Sequence, residues 1–537
     1  MKIITAEQAA ALVQDRWMMT IGGFGHCGSP EALLGALERR FLNHGSPRAL
    51  SMIFASGAGD RASKGINRLA HEGLLSTIIG GFWSLAPRLG EMVRDNQIHA
   101  YNWPQGVVSH MYRAIAGGLP GVITTVGLGT FIEPRLGGGR LNKKTTDDRI
   151  DLIEVDGSNF LLYKAPRLDC ALLRGTTADN SGNVTLEKEA SFQDVLAQAQ
   201  AVKNSGGIVI VQVQDLVADG HLNPQAVKIP GVLVDYVVLA APEQHWQTYG
   251  EQFNASYCGI QNKGEPLVHA DLPQGARRII ARRAILELLR HTKLRRTEQP
   301  LLVNLGIGIP ESIAAVAERS GLLGQGFVFS VESGAIGGYP AGGNSFGAMA
   351  NPQAILNQAE LFDFYNGGGI DIAFLGFGEI DRNCRINVSG LGNRINGVGG
   401  FVNISQAAKQ LIFCGTFTAS GLKVSYNEGD GLQIETEGKI RKIVEKVSQI
   451  CYDPNGQARC RAALLITERA VFKIHRHYLE IIELAPGCTL ARDIIPHIDI
   501  EIAVNKQLQP MPTEAFSDAS LAQLFKHRTF KTFKKAA

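Results

Sequence analysis

Phe327-Val328-Phe329-Ser330-Val331-Glu332-Ser333-Gly334-Ala335-Ile336-Gly337-Gly338 is a short apolar β-run that ends on a carboxylate and a glycine-rich turn. In open α/β sheets, ligands bind beyond the carboxyl ends of the strands. A carboxylate in that place can act as a nucleophile when backbone N–H groups face the charge developing opposite it. One segment by itself is equally what an ordinary solvated strand end looks like. What separates the two is a second copy. Leu50-Ser51-Met52-Ile53-Phe54-Ala55 leads into Ser56-Gly57-Ala58-Gly59, with Ala55 in the place of Glu332.

Two further landmarks repeat in the same order. Gly22-Gly23-Phe24-Gly25-His26-Cys27-Gly28-Ser29-Pro30-Glu31 has its counterpart in Asn304-Leu305-Gly306-Ile307-Gly308-Ile309-Pro310-Glu311. Pro30 and Pro310 each fall at the first turn of an expected helix, where the missing N–H is not needed. Asp169, Ala171, Leu173 and Asp179 return as Asp371, Ala373, Leu375 and Asp381. Three ordered pairs imply two related α/β units, of which only the second carries the carboxylate.

A chain of 537 residues is expected to hold more than one domain, because single cores stop growing near ~250–300 residues. With 45% hydrophobic residues it can bury large cores, which excludes a disordered chain. The 61 glycines exceed the usual share of about 7%, and they gather in strand-to-helix turns. A net charge of +3 is too small to point to nucleic acid. The eight cysteines are scattered with no CxxC pair, as expected of reduced thiols and not of a zinc site or a disulfide scaffold. No stretch approaches the ~20 apolar residues that span a membrane, and no secretory or transit pattern opens the chain. A cytoplasmic protein is the expectation.

The expected organisation is a first domain over 1–240, a connection over 241–274, a second domain over 275–518 and a basic tail over 519–537. Strands are expected at Trp17–Ile21, Leu50–Phe54 and Gly207–Val213, and helices at Pro30–Leu42 and Ser191–Lys203. Such alternation implies a largely parallel sheet flanked by helices. A helix beginning near Gly275 carries Arg277, Arg278, Arg282, Arg283 and Arg290, expected on a solvated face.

Gly23-Phe24-Gly25-His26-Cys27-Gly28 is a formal GxGxxG, the dinucleotide fingerprint. The acidic residue that should close the next strand is missing, since that strand ends Phe54-Ala55-Ser56. An oxidoreductase is therefore a weak alternative. There is no GxxxxGK[ST] phosphate loop, and no HExxH zinc helix or GxSxG nucleophile elbow is read. Three other glycine sites, Val126–Thr130, Asn366–Gly369 and Gly397–Phe401, could present N–H groups to a ligand.

Taken together these motifs resemble the family I coenzyme A transferases. Gly22–Pro30, Pro104-Gln105-Gly106, Arg113-Ala114, Gly117-Gly118 and Gly127–Thr130 are similar to the first half of that family. Asn304–Pro310 and Val331-Glu332-Ser333-Gly334 are similar to the catalytic half, with Val331 and Ser333 replacing the usual Ser and Asn. This variation, the single long chain and Phe362–Gly369 resemble most the fused acetate/propionate branch. Asp381-Arg382-Asn383-Cys384-Arg385 lacks the Gly-Asn found after Asp179, a local turn change.

The resemblance implies two tandem open α/β domains with the active site in the cleft between them. It implies transfer of coenzyme A between a short-chain acyl-CoA and an acid such as acetate, propionate, butyrate or acetoacetate. The nucleophile would be Glu332, passing through a glutamyl-CoA thioester. Gly306, Gly308, Gly399 and Gly400 would supply oxyanion or CoA contacts, and Gln105 would bind the substrate carboxylate. No metal, flavin or nicotinamide is expected, and a homo-oligomer is. Acyl-CoA hydrolysis is the nearest alternative, and a non-catalytic CoA- or sugar-phosphate-responsive protein a more distant one.

Overall fold

The computed structural model describes residues 2–260, 272–294, 298–460 and 463–525. Its first half is built on β1 (Lys2–Ile3), β2 (Met18–Ile21), β3 (Leu50–Ser56), β4 (Leu75–Phe82), β5 (His99–Asn102), β6 (Cys170–Arg174), β7 (Ile208–Val213) and β8 (Tyr236–Leu239). These form one sheet in the order β1-β8-β7-β6-β2-β3-β4-β5, and every neighbouring pair is parallel. The strands are apolar almost throughout because both faces are covered. Met52 and Phe54 of β3 point into one core, and Ile53 and Ala55 into another. Helices α1 (Ala6–Leu12), α2 (Glu31–His44) and α3 (Pro87–Arg94) cover the outer face, and α4 (Gln105–Ala116) and α5 (Val195–Asn204) the inner one.

The second half uses α6 (Gly275–Leu294), β9 (Leu301–Leu305), α7 (Glu311–Arg319), β10 (Phe327–Ser330), β11 (Ala335–Ile336), β12 (Ala354–Ile355), α8 (Gln358–Asn366), β13 (Ile372–Gly376), α9 (Phe401–Ala407), β14 (Gln410–Cys414), β15 (Ala463–Ile466), β16 (Ala470–Ile474), β17 (Leu479–Leu484) and β18 (Ala503–Pro510). Its sheet runs β12-β11-β10-β9-β13-β14-β15-β16-β17-β18. The stretch from β10 to β15 is parallel. It matches β3-β2-β6-β7-β8 of the first half strand for strand.

The repeat is also visible in single hydrogen bonds. Asp169 accepts the Met18 amide at 2.9 Å, and Asp371 accepts the Leu302 amide at 2.9 Å. The Gly22 amide binds Leu172 O, and the Gly306 amide binds Phe374 O, both at 2.9 Å. The Asp381 turn keeps the form of the Asp179 turn. Cys384, at φ 60, takes the positive-φ place of Gly182 at φ 90. The Cys384 amide reaches Asp381 O as the Gly182 amide reaches Asp179 O. The missing Gly-Asn changes the residue and preserves the turn.

Three expectations change. Arg278, Arg282 and Arg283 of α6 do not form a solvated face. Arg282 and Arg283 are buried. Arg282 caps the carbonyls of Glu514 and Ala519, and Arg283 pairs with Glu483 at 2.7 Å and with Glu287. The described part of the connection, 241–260, is packed and not free-running. Tyr249 OH donates to Glu31 at 2.6 Å, and Thr248 meets Ser345 of the second half at 2.9 Å. The start of the basic tail also packs, with Leu521 buried. Residues 261–271 of the connection and 526–537 of the tail lie outside the described residues.

Candidate active site

The inner core is shared between the halves, with Trp103, Val107 and Met111 in one cluster with Leu361, Phe362 and Val402. Beside it lies a cavity of about 910 Å³. Glu332, Gln105, Gly306, Gly308, Gly399 and Gly400 all line this cavity. Residues far apart in sequence meet there because β3, β9 and β10 all end on the same side, and α4 crosses from the first half.

Glu332 lies two residues beyond the end of β10. Its turn is closed by the Val331 amide to Ala335 O and the Gly334 amide to Val331 O, and Ser333 Oγ donates to Gly347 O at 2.6 Å. Gly334 is at φ +121, and a Cβ there would lie 2.0 Å from Leu356 O. Only glycine fits that position. The Glu332 side chain opens to the cavity but is enclosed by protein. Its pKa is raised from 4.5 to about 7 because burial disfavours the charge, and a hydrogen bond from Gln105 partly offsets this. That bond runs from Gln105 Nε2 to Glu332 Oε2 at 3.3 Å.

The four glycines do different things. Gly400 lies against the carboxylate, where an added Cβ would be 2.7 Å from Glu332 Oε2 and 2.8 Å from Cδ. Three amides are already engaged, Gly306 to Phe374 O, Gly399 to Gly81 O and Gly308 to the Glu311 carboxylate. Among the described residues, the free amides lining the cavity here include those of Gly400 and Ile307. Gly400 caps α9, whose first-turn amides carry the partial positive charge of a helix N-terminus.

Two other glycine sites are structural. The Gly127 amide binds Gln406 and the Gly129 amide binds Glu133. Gly367, Gly368 and Gly369 close the end of α8 onto Asp363, Tyr365 and Phe364 carbonyls. The GxGxxG loop is filled by protein. A Cβ on Gly25 would be 2.8 Å from Phe346 O, and one on Gly28 1.7 Å from Gln193 Nε2. Its glycines allow the halves to approach, so the dinucleotide reading has no space to stand on.

Sequence patterns left other residues unnoticed. Gly343-Asn344-Ser345-Phe346-Gly347 is a formal GxSxG, yet Ser345 sits in a short 3-10 turn and not between a strand and a helix. Its hydroxyl is held by Thr248 and Glu251 with no histidine among its partners. Phe24, Phe82, Phe346, Phe377 and Phe401 form the aromatic part of the cavity wall. Phe24 stacks on Phe346 with centroids 6.2 Å apart. Aromatic residues in glycine-rich turns were the available signal for these. Asn102 reaches across the interface, donating to Gly80 O at 2.8 Å and Gly81 O at 2.6 Å and accepting the Val398 amide at 2.9 Å.

Comparison with known proteins agrees with this geometry. The coenzyme A transferase family model matches residues 3–240. The chain is 38% identical over 524 residues to the acetate CoA-transferase YdiF of Escherichia coli strain K12, covering 97% of this chain and 96% of that one. A crystal structure of YdiF from E. coli O157:H7, a thioester complex with CoA, matches with a TM-score of 0.88 at 36% identity over 97% of each chain. The caffeate CoA-transferase of Acetobacterium woodii is 40% identical over 529 residues, covering 96% of this chain and 98% of that one. Likeness of this extent, along the whole chain and not in one motif, means that the protein belongs to the coenzyme A transferase family.

Proposed function

We propose that Glu332 is the covalent nucleophile of a ping-pong transfer of coenzyme A between a short-chain acyl-CoA and a free monocarboxylic acid. The observation that carries this is the enclosed Glu332 carboxylate at a strand end, with Gln105 on one side and Gly400 on the other. The Glu332 carboxylate attacks the thioester carbonyl, the C–S bond breaks, and an acyl-glutamyl anhydride and CoA thiolate form. The thiolate attacks the glutamyl carbonyl and releases the first acid as its carboxylate. A second carboxylate then opens the glutamyl-CoA thioester through the reverse steps.

A carboxylate is a weak nucleophile toward a thioester, so the site must align the partners and stabilise the oxyanion. Alignment is worth ~7–11 kcal/mol, and one oxyanion donor about 3–4 kcal/mol. The Gly400 and Ile307 amides are the donors this reading assigns. Gln105 holds the Glu332 carboxylate in the free enzyme and passes its amide to the substrate carboxylate on binding. Acetate, propionate, butyrate and acetoacetate fit the small-acid reading. The aromatic wall admits larger apolar acids, and the similarity to a caffeate CoA-transferase supports including them.

The test is peptide mass spectrometry after incubation with acetyl-CoA and borohydride, without an acceptor acid. A glutamyl-CoA thioester is reduced to the alcohol at Glu332, and Glu332→Gln gives no such product. CoA exchange with an unmodified Glu332 would sink the covalent mechanism. Release of CoA and acetate with water as the only acceptor, at the rate of transfer, would make the enzyme a hydrolase instead.

A further inference from the structure

The repeat extends beyond the sheets to a second carboxyl. Gln105 and Gln358 each open a helix, α4 and α8, and Tyr112 and Tyr365 follow at the same spacing. Tyr112 OH accepts from Thr20 at 3.0 Å and donates to Ile53 O. Tyr365 OH accepts from Asn304 at 3.4 Å and donates to Ser330 Oγ at 2.7 Å. Thr20 and Asn304 stand at the same place before Gly22 and Gly306, so the two tyrosines are equivalent. The next equivalent helices, α5 and α9, are preceded by Asp194 and Gly400. The second half thus has Glu332 at the strand end and glycine at the helix cap. The first half has Ala55 at the strand end and Asp194 at the cap. Each half places one carboxyl at this centre, on opposite elements, with Asp194 buried and Glu332 half-buried at the cavity.

Asp194 is not in the cavity and the transfer mechanism does not use it. It is buried, and its Oδ2 accepts from Ser109 Oγ at 2.9 Å. Gln358 Nε2 donates to the same Ser109 oxygen at 2.5 Å, and the Gln358 amide donates to Gln193 O at 2.9 Å. Three elements, α4, α8 and the start of α5, therefore close on one point. Ser109 lies one turn along α4 from Gln105, on the same side of the helix. Gln105 is the residue that touches Glu332, so the first turn of α4 is pinned at one end by the Asp194 cluster and meets the nucleophile at the other. The first half's Gln105 thus meets the second half's carboxylate directly, while the second half's Gln358 meets the first half's Asp194 through Ser109, where it holds the helix.

We propose that Asp194, with Ser109 and Gln358, is a positioning cluster for the transfer reaction, acting through α4 on Gln105 and so on the attacking carboxylate. This rests on the reading of Glu332 as nucleophile. A displacement of about 1 Å in a reacting geometry is worth up to roughly 100-fold in rate. The effect therefore belongs in kcat and not in binding.

The experiment is a double-mutant cycle of Asp194→Ala and Gln105→Ala in the full chain, with kcat and the KM for acetyl-CoA measured separately and folding checked by thermal melting. Asp194→Ala is expected to lower kcat roughly 10- to 100-fold with KM changed less than about 2-fold. Asp194→Asn still accepts from Ser109 and is expected to restore most of kcat. In the Gln105→Ala background, Asp194→Ala is expected to add little, because both act on one contact. Ser109→Ala, a smaller change, serves if Asp194→Ala does not fold. Effects that multiply across the cycle, or a lower melting temperature with kcat unchanged, would overturn the positioning role. Absence of the borohydride product at Glu332 would remove the nucleophile reading itself, whatever the cycle gives.

Discussion

Glu332 illustrates how one residue is made reactive by where it is placed. Enclosure raises its pKa from 4.5 to about 7, so the folded protein holds this proton more tightly than the unfolded chain does. Stability contributed by this group is then present below about pH 4.5 and is lost as pH rises through about 7. Glu332→Gln is expected to melt higher than the wild type at about pH 8, with the gap closing toward about pH 4; calorimetry across pH checks this. Because the ionised form attacks, kcat/KM is expected to fall about tenfold per unit below about pH 7. Gly400 is the neighbouring constraint. Its backbone is unstrained, but a Cβ would press on the carboxylate at 2.7 Å. Gly400→Ala is expected to lose at least roughly 100-fold in kcat while folding normally, as measured by steady-state kinetics beside circular dichroism.

At the scale of elements, helix α6 shows why a row of arginines is a poor guide to exposure. Arg283 points inward from α6 to Glu483 on β17, with Glu287 one turn along its own helix. The triad docks the helix that leads into the second half against the last strands of the sheet. Removing the cation leaves Glu483 without its partner, while Glu287 keeps Arg290 and His291, and breaking such a pair costs about 3–5 kcal/mol. Arg283→Ala is therefore expected to destabilise by about 3 kcal/mol or more, read from urea unfolding. Surface Arg382, paired with Glu445 where both are exposed, is the control, and its replacement by Ala is expected to change little.

At the scale of the whole molecule, the site exists only where the two halves meet. Asn102 at the end of β5 holds the loop before α9 in place, binding the Val398 amide at 2.9 Å and Ser389 Oγ at 3.2 Å. That loop carries Gly399 and Gly400 to the nucleophile. Asn102 is fully buried, so Asn102→Ala leaves several polar groups unpaired at about 1–3 kcal/mol each. The expected outcome is a lower melting temperature together with a loss of kcat, since stability and active-site geometry depend on the same contact. A protein that melts lower but turns over normally would show that the loop is held by other means.

How much of this was legible depends on whether a feature is local. Strand ends, glycine turns and the order of the paired segments are set by short-range chemistry, namely β-run, φ > 0 and helix start. The two related units, Glu332 and the glycine stretch Gly397–Phe401 were therefore readable from the residues, and the paired aspartates Asp169 and Asp371 proved to do the same task. Domain approach is not local. That Gly25 meets Phe346 and Gly28 meets Gln193, that Arg282 and Arg283 are buried, and that Gly399 has spent its amide while Gly400 has not, depends on partners far away in sequence. By itself the sequence determined the repeat and the carboxylate at its strand end. Only the tertiary structure decided which glycines face that carboxylate and which glutamine touches it, because burial and backbone pairing are properties of surfaces brought together by folding.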